Sequence, residues 1–282
     1  MRLAHLILAF HQPAQLERLV KRLMTPNADI YIQLDIKANM ADFQHLGQLN
    51  NVQFVNNRVN VTWGLYSMVE ATIQGYKQIL ASGQSYSHIN LISGQDYPLK
   101  GAKTIEDFFF ANPDKSFMKF KPIFEEWPES IRRITKYDLG DYQFPLRYQL
   151  QGILNKIMPD RKTPNGMKPY GFSQWMTITS DAAAYIVNFL DKNFIAKHFF
   201  KMTFCVDELI FQTILLNSPY RESIVNDHLR VIKFLKGTYR PRTLLISDAE
   251  MLVSSGKFFA RKFVPEEDSA ILDFLDSHAM KQ

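Results

Sequence analysis

Apolar positions along this chain switch between a period of two or a continuous run, which marks strands, and a period near 3.6, which marks helices. Leu3 to Phe10 is a Leu- and Ile-rich run closed by His11-Gln12-Pro13 and reads as a buried strand. Pro13 then opens a helix whose Leu16, Leu19, Val20 and Leu23 recur at i, i+3, i+4 and i+7. Asp29-Ile-Tyr-Ile-Gln-Leu-Asp35 reads as a second strand ending in an acid. Strand, helix and strand in this order predict a right-handed parallel βαβ unit, with His11 and Asp35 at one sheet edge. Val52 to Val55 is a short third strand, and Leu65, Met68, Val69, Ile73, Tyr76, Ile79 and Leu80 mark an amphipathic helix.

The stretch around which the rest is organised is Ser87-His-Ile-Asn-Leu-Ile-Ser-Gly-Gln-Asp-Tyr-Pro-Leu-Lys100. Ile89 to Ile92 reads as a central strand that breaks at Ser93-Gly94, with Pro98 stopping the ladder for lack of an N–H. Asp96 is thereby expected at the carboxyl end of that strand, the edge where open α/β sheets bind ligands. A turn in which Asp96 only caps backbone N–H groups fits the same residues. Further on, Thr104 is expected to N-cap a helix over 105–111, and Ser116 to Lys121 reads as a strand. Residues 122–169 lose periodicity and read as long connections around one helix near 147–157, as functional or mobile loops do. Tyr170 to Thr179 reads as a turn and strand, and Ser180 as the N-cap of a helix over 181–190. Asp207-Glu208 opens a helix over 209–216, where acids also complement the helix dipole. Arg230 to Phe234 reads as a strand and 266–278 as a final helix. The pattern as a whole predicts an α/β fold in a single domain.

Composition narrows the function classes. Hydrophobic residues at 46% and charged residues at 22% are those of an ordinary globular protein. A single cysteine, Cys205, excludes an internal disulfide framework and fits a reducing, cytoplasmic setting. Beside two acids its thiol is expected to be inert. The opening apolar run is too short for a membrane span and reads as a strand rather than a signal peptide. The net charge of +5 and pI near 9.1 suit an anionic ligand or peripheral contact with an acidic membrane surface. The basic pairs Arg132-Arg133, Arg161-Lys162 and Arg261-Lys262 read individually as solvated faces. No nucleic-acid-binding motif is recognisable. The seven histidines have no H-x-x-x-H spacing and no Asp-x-Asp pair exists, so no metal site is expected. G-x-G-x-x-G, Walker and G-x-S-x-G sequences are absent too.

Five short motifs occur in one order: Trp63-Gly64 with Ser67; Asn90-Leu-Ile-Ser-Gly-Gln-Asp-Tyr-Pro-Leu99; Ser173-Gln-Trp175; Val206-Asp-Glu208 with Phe211-Gln-Thr213; and Phe259-Ala-Arg-Lys-Phe263. Together they resemble the core-2/I-branching β-1,6-N-acetylglucosaminyltransferases, glycosyltransferase family 14, which includes peptide O-xylosyltransferases. The resemblance runs over 4–275 and is to a short bacterial-type member, without the membrane anchor and paired cysteines of eukaryotic relatives.

That resemblance implies a GT-A-like, Rossmann-like fold with a mixed, mostly parallel sheet flanked by helices. It implies a nucleotide-sugar half over 1–121 and an acceptor and catalytic half over 122–282. The implied reaction is metal-independent, inverting transfer of a sugar, N-acetylglucosamine first among the candidates, from a UDP-sugar to a glycan or lipopolysaccharide-type hydroxyl. Glu208 matches the general base, and Arg242 and Lys262 the basic pair on the diphosphate. His11 and Asp35 match the uridine pocket, and Asp96 a place near the donor sugar. Trp63, Glu126, Arg133 and Trp175 are candidates for acceptor contacts. Asn60, three residues before Trp63, stands where animal branching enzymes carry a uridine-stacking tyrosine, a departure that implies a different contact to the base. The alternatives are a xylosyl or other hexosyl donor within the family, and a non-catalytic nucleotide or glycan binder.

Overall fold

The computed structural model describes residues 1–280 apart from 236 and 239. The chain opens with β1 (Arg2–Ala9), α1 (Pro13–Leu23), β2 (Ala28–Leu34), β3 (Val52–Phe54), α2 (Tyr66–Leu80) and β4 (Tyr86–Ser93). It continues through β5 (Asp96–Pro98), α3 (Ala102–Phe110), β6 (Ser116–Pro122), α4 (Ile123–Glu126), α5 (Ile131–Thr135) and α6 (Arg147–Ile157). Next come β7 (Tyr170–Thr179), α7 (Ser180–Lys192), α8 (Phe194–Lys201) and α9 (Ile210–Leu216). The last elements are β8 (Ile224–Val225), β9 (Arg230–Ile232), α10 (Ala249–Ser254), β10 (Phe259–Arg261) and α11 (Ala270–Ala279).

Seven strands form one sheet in the order β3-β2-β1-β4-β7-β6-β8, and only β7 runs against the rest. The expected mixed, mostly parallel sheet in a single domain is what the chain builds, and strands from both halves share it. The order steps outward from β1 on one side and from β4 on the other, and the carboxyl ends of these two strands mark the edge where ligands usually bind in such a sheet. The alternation of β1 explains the two layers. Ala4 and Leu6 pack with α2, α7 and α9 on one face, while Leu3 and Ile7 pack with α1, α3 and α11 on the other. Both faces are covered, as the near-continuous apolar runs of β1, β2 and β4 require.

Local details depart from the sequence expectation for identifiable reasons. Asp96 to Pro98 do not end as a turn: they form β5, antiparallel to β10 in a second, three-stranded sheet, with Pro98 on an edge where it need not donate. Thr104 lies inside α3, which begins two residues earlier after Gly101. The cap of α7 is Thr179, whose Oγ1 accepts from Ala182 N at 3.2 Å. Ser180 instead donates to Tyr86 O at 2.6 Å. The final helix starts at Ala270, because residues 265–267 form a separate turn in which Glu267 N donates to Val264 O at 2.9 Å, and Glu266 accepts from Gln12 Nε2 at 2.6 Å. The stretch 122–169 holds α4 and α5 besides the expected α6, helices too short to show a period.

Candidate active site at the carboxyl edge of the sheet

The site is built where the second half of the chain folds back onto the β1–β4 edge. Phe263 N donates to Gln95 O at 3.0 Å and Leu244 N to Lys262 O at 2.9 Å, so the segments carrying Arg242 and Lys262 run side by side just beyond β5. The first turn of α1 meets the same segment, with Gln15 Nε2 donating to Phe263 O at 3.2 Å. His11 is thereby brought close enough to Lys262 and Glu266 to feel both charges, and burial holds its pKa below the ordinary imidazole value. Asp35 N donates to Ala9 O at 2.9 Å, which sets Asp35 beside the end of β1. Its carboxylate accepts from Lys37 N at 2.9 Å and pairs with Lys37 Nζ at 3.2 Å. His11, Asp35 and Lys262 are therefore brought to one edge. Arg242 faces Asp248 with two hydrogen bonds of 2.8 and 2.6 Å, so a diphosphate would compete with that carboxylate.

Glu208 sits on a 3-10 turn, Val206–Glu208, that is fixed from three sides. Cys205 enters it in the left-handed region at φ 48°, a conformation costly for a non-glycine residue and held here by its neighbours. One of these is Gly64, whose carbonyl accepts from Cys205 N at 2.7 Å. The other close neighbour is Gly171 of β7: a Cβ there would lie 2.6 Å from Glu208 O and 2.4 Å from Leu209 Cδ2, so only glycine lets the turn approach the sheet. Behind the turn, Arg161 is buried and donates to Lys136 O, Phe199 O and Met202 O, tying off the end of α8. Burial lowers its pKa to about 10.

The Glu208 side chain stays 35% exposed and accepts from Arg133 Nη1 at 2.7 Å. Arg133 lies over the Trp127 ring at 5.0 Å. Trp63 is exposed and edge-on to Phe204 at 6.0 Å, one residue before Cys205. A cleft of about 330 Å³ opens beside these groups, lined by Arg133, Lys136, Tyr137, Gln151, Asn155 and Phe204. Glu126 is exposed at the end of α4, next to Trp127. A second concavity, of about 350 Å³, lies at the opposite sheet edge around Tyr86 and Ser180 and contains none of the candidate residues.

Sequence reasoning missed the group that joins these parts, Arg261. Its guanidinium stacks on the Trp175 ring at 4.2 Å and pairs with Asp96 at 3.5 Å. Asp207 and Glu208 also act on its charge. Asp96, expected beside the donor sugar, is fully buried under Arg261 and accepts from Ser93 N at 3.2 Å. Burial raises its pKa, against the pull of Arg261 and Arg230. Arg230 is buried as well, donating to Asn90 Oδ1 at 2.7 Å and Leu91 O at 2.9 Å. The signal for Arg261 was its place in a strand, where alternation turns one member of a basic pair inward. Cys205, expected to be inert, is buried: burial first, then Asp207 and Glu208, push its thiol up to about 12.

Asp207, next to Glu208, is buried, and burial together with the Glu208 charge raises its pKa to about 7. The folded state then binds a proton more tightly than the unfolded chain, so this group's contribution to stability is lost as pH rises toward 7. Asp207→Asn should flatten the stability profile between about pH 4 and 7 and leave the variant more stable than wild type at pH 8, by on the order of 2–4 kcal/mol. Thermal unfolding across that range reads the difference.

Among the described residues, no cluster of three or more His, Cys, Asp or Glu could hold a metal ion, and no helix is long and apolar enough to cross a membrane. Xylosyltransferase 2 of Canis lupus familiaris is 27% identical over 286 residues, covering 94% of this chain and 32% of its own length. Xylosyltransferase oxt of Drosophila melanogaster is 24% identical over 282 residues, covering 92% and 31%. The chain thus spans about a third of the length of the curated relatives it matches. The solved apo structure of mouse xyloside xylosyltransferase 1 aligns with a TM-score of 0.38 and 9% identity over 79% of this chain and 84% of that one. The model of the Core-2/I-Branching enzymes matches residues 3–252. With nearly the whole seven-stranded sheet and the Glu208 turn inside that match, the chain belongs to the Core-2/I-Branching enzyme family of glycosyltransferases.

Proposed function

We propose that this chain is a cytoplasmic, metal-independent, inverting glycosyltransferase that moves a sugar from a UDP-sugar to a glycan hydroxyl. The observation that carries the reading is Glu208: a partly exposed carboxylate, locked in place at the carboxyl edge between Arg133 and Arg261. A carboxylate has two oxygens. With Oε2 accepting from Arg133, Oε1 is left to take the acceptor proton. The acceptor oxygen forms its bond to the anomeric carbon as the bond to UDP breaks, and the proton passes to Glu208. Lys262, with Arg242 once Asp248 is displaced, would neutralise the charge developing on UDP. His11 and Asp35 would hold the uridine, and Trp63, Trp175, Glu126 and Arg133 the acceptor beside the 330 Å³ cleft. In this reading residues 1–121 supply most of the nucleotide side and 122–282 the acceptor side, with the two cations crossing over.

N-acetylglucosamine is the first candidate for the transferred sugar and the acceptor class is a glycan or lipopolysaccharide precursor. Xylose is the second, favoured by the relatives being xylosyltransferases. Incubation with UDP-N-acetylglucosamine and UDP-xylose in separate assays, reading UDP release with and without a glycan acceptor, tests the reading. Release from neither donor would overturn it in favour of a binding protein.

A further inference from the structure

The helix α6 is mounted inside out. Its polar residues Gln151 and Asn155 face the protein: Gln151 Oε1 accepts from Leu139 N at 2.7 Å, Asn155 Oδ1 from Tyr137 N at 2.8 Å, and Asn155 Nδ2 donates to Tyr137 O at 2.9 Å. At 3.6 residues per turn the opposite side of the helix, with the residue before it, carries Leu146, Leu150, Ile153 and Ile157 in one stripe. These four are 70%, 42%, 53% and 71% exposed. No residue of α6 is buried. A contiguous stripe of large aliphatic side chains turned to solvent marks an interaction surface rather than a stray exposed leucine.

The charges around the stripe say what covers it. From Gln143 to Pro159 the charged residues are Arg147 and Lys156, both cationic, in a chain of net charge +5. Just past this stretch the exposed Asp160 is paired with Lys136, so an apolar stripe flanked by cations, with no acid on the helix itself, is complementary to a lipid surface with anionic headgroups. Pairing with a second copy fits less well. The 11-residue helix is ~16 Å long and ~10 Å wide, a footprint of a few hundred Å² at most against ~800 Å² per partner in a stable interface. We propose that α6 is an interfacial helix that docks this protein on an anionic membrane surface, its aliphatic stripe sunk at the headgroup boundary. Gln151 and Asn155 line the cleft beside Arg133, so docking holds that cleft against the lipid surface.

Vesicle flotation tests this with phosphatidylcholine alone and with ~30% phosphatidylglycerol. The variants are the triple Leu150→Gln/Ile153→Gln/Ile157→Gln and the single Lys156→Glu, with thermal unfolding confirming that each remains folded. Wild type should float with the anionic vesicles and be released by high salt, the triple variant should bind about tenfold more weakly or worse, and Lys156→Glu should lose the preference for anionic lipid. Wild type that fails to float, or a triple variant that floats as well as wild type, would overturn the proposal. So would a concentration-dependent dimer, without flotation, that the triple variant abolishes.

Discussion

Glu208→Gln should lower the rate of sugar transfer by about 10²–10⁴-fold, the usual contribution of a positioned general base. Glutamine keeps the size of the side chain and can still accept from Arg133 through its amide oxygen, so the Val206–Glu208 turn should stay where Gly64 and Gly171 hold it. Only the ability to take a proton is removed. UDP binding, made by other residues at the same edge, should be unchanged, which separates a lost base from a lost fold. The comparison is steady-state transfer kinetics alongside UDP titration of both proteins. If the variant turned over at the wild-type rate, the base would lie elsewhere, and the neighbouring buried Asp207 would be the next group to examine.

Arg261→Met should lose both stability and activity. Arg261 is the cation under which Asp96 is buried, and it is stacked on Trp175 and faced by Asp207 and Glu208. Methionine replaces much of the packing on Trp175 but leaves the Asp96 carboxyl without its nearest cation. Breaking a buried pair from one side costs about 3–5 kcal/mol, which in a chain of this size is a drop in Tm on the order of 10 °C. Part of that loss should return in Arg261→Met/Asp96→Asn, because the second change removes the stranded carboxyl. The coupling between the two should be about 0.5–3 kcal/mol. Additive losses in the double variant would mean that the pair at 3.5 Å contributes little and that Arg261 acts through Trp175 alone.

Much of the frame was legible because burial on a sheet leaves a strong pattern. β1, β2, β4 and β7 are apolar runs bounded by polar or helix-opening residues, and α1 and α2 have clean helical periods, so each was located to within a few residues. What could not be read was the role of basic pairs. Arg133, Arg161 and Arg261 each belong to a pair whose plain reading is a solvated face. In the fold each is turned toward a carboxylate or a cluster of carbonyl groups far away in the chain. Such partners are set by tertiary contacts, and no local rule identifies them. Of the two readings of Asp96, the backbone cap is met by Ser93 N, whereas its burial could not be read, because it depends on the pairing of the three residues of β5 with β10. The positions of His11 and Asp35 were easier to read, since they follow directly from the ends of two adjacent parallel strands.

The most direct measurement is calorimetric titration with UDP in EDTA, repeated with Mn²⁺, on wild type and Lys262→Ala. A diphosphate site built from cationic side chains should bind UDP in EDTA and be indifferent to Mn²⁺. Loss of the Lys262 ammonium should weaken binding by about 10–100-fold, the range of one hydrogen-bonded charge. UDP binding that requires Mn²⁺, or that is as tight in Lys262→Ala as in wild type, would contradict the account.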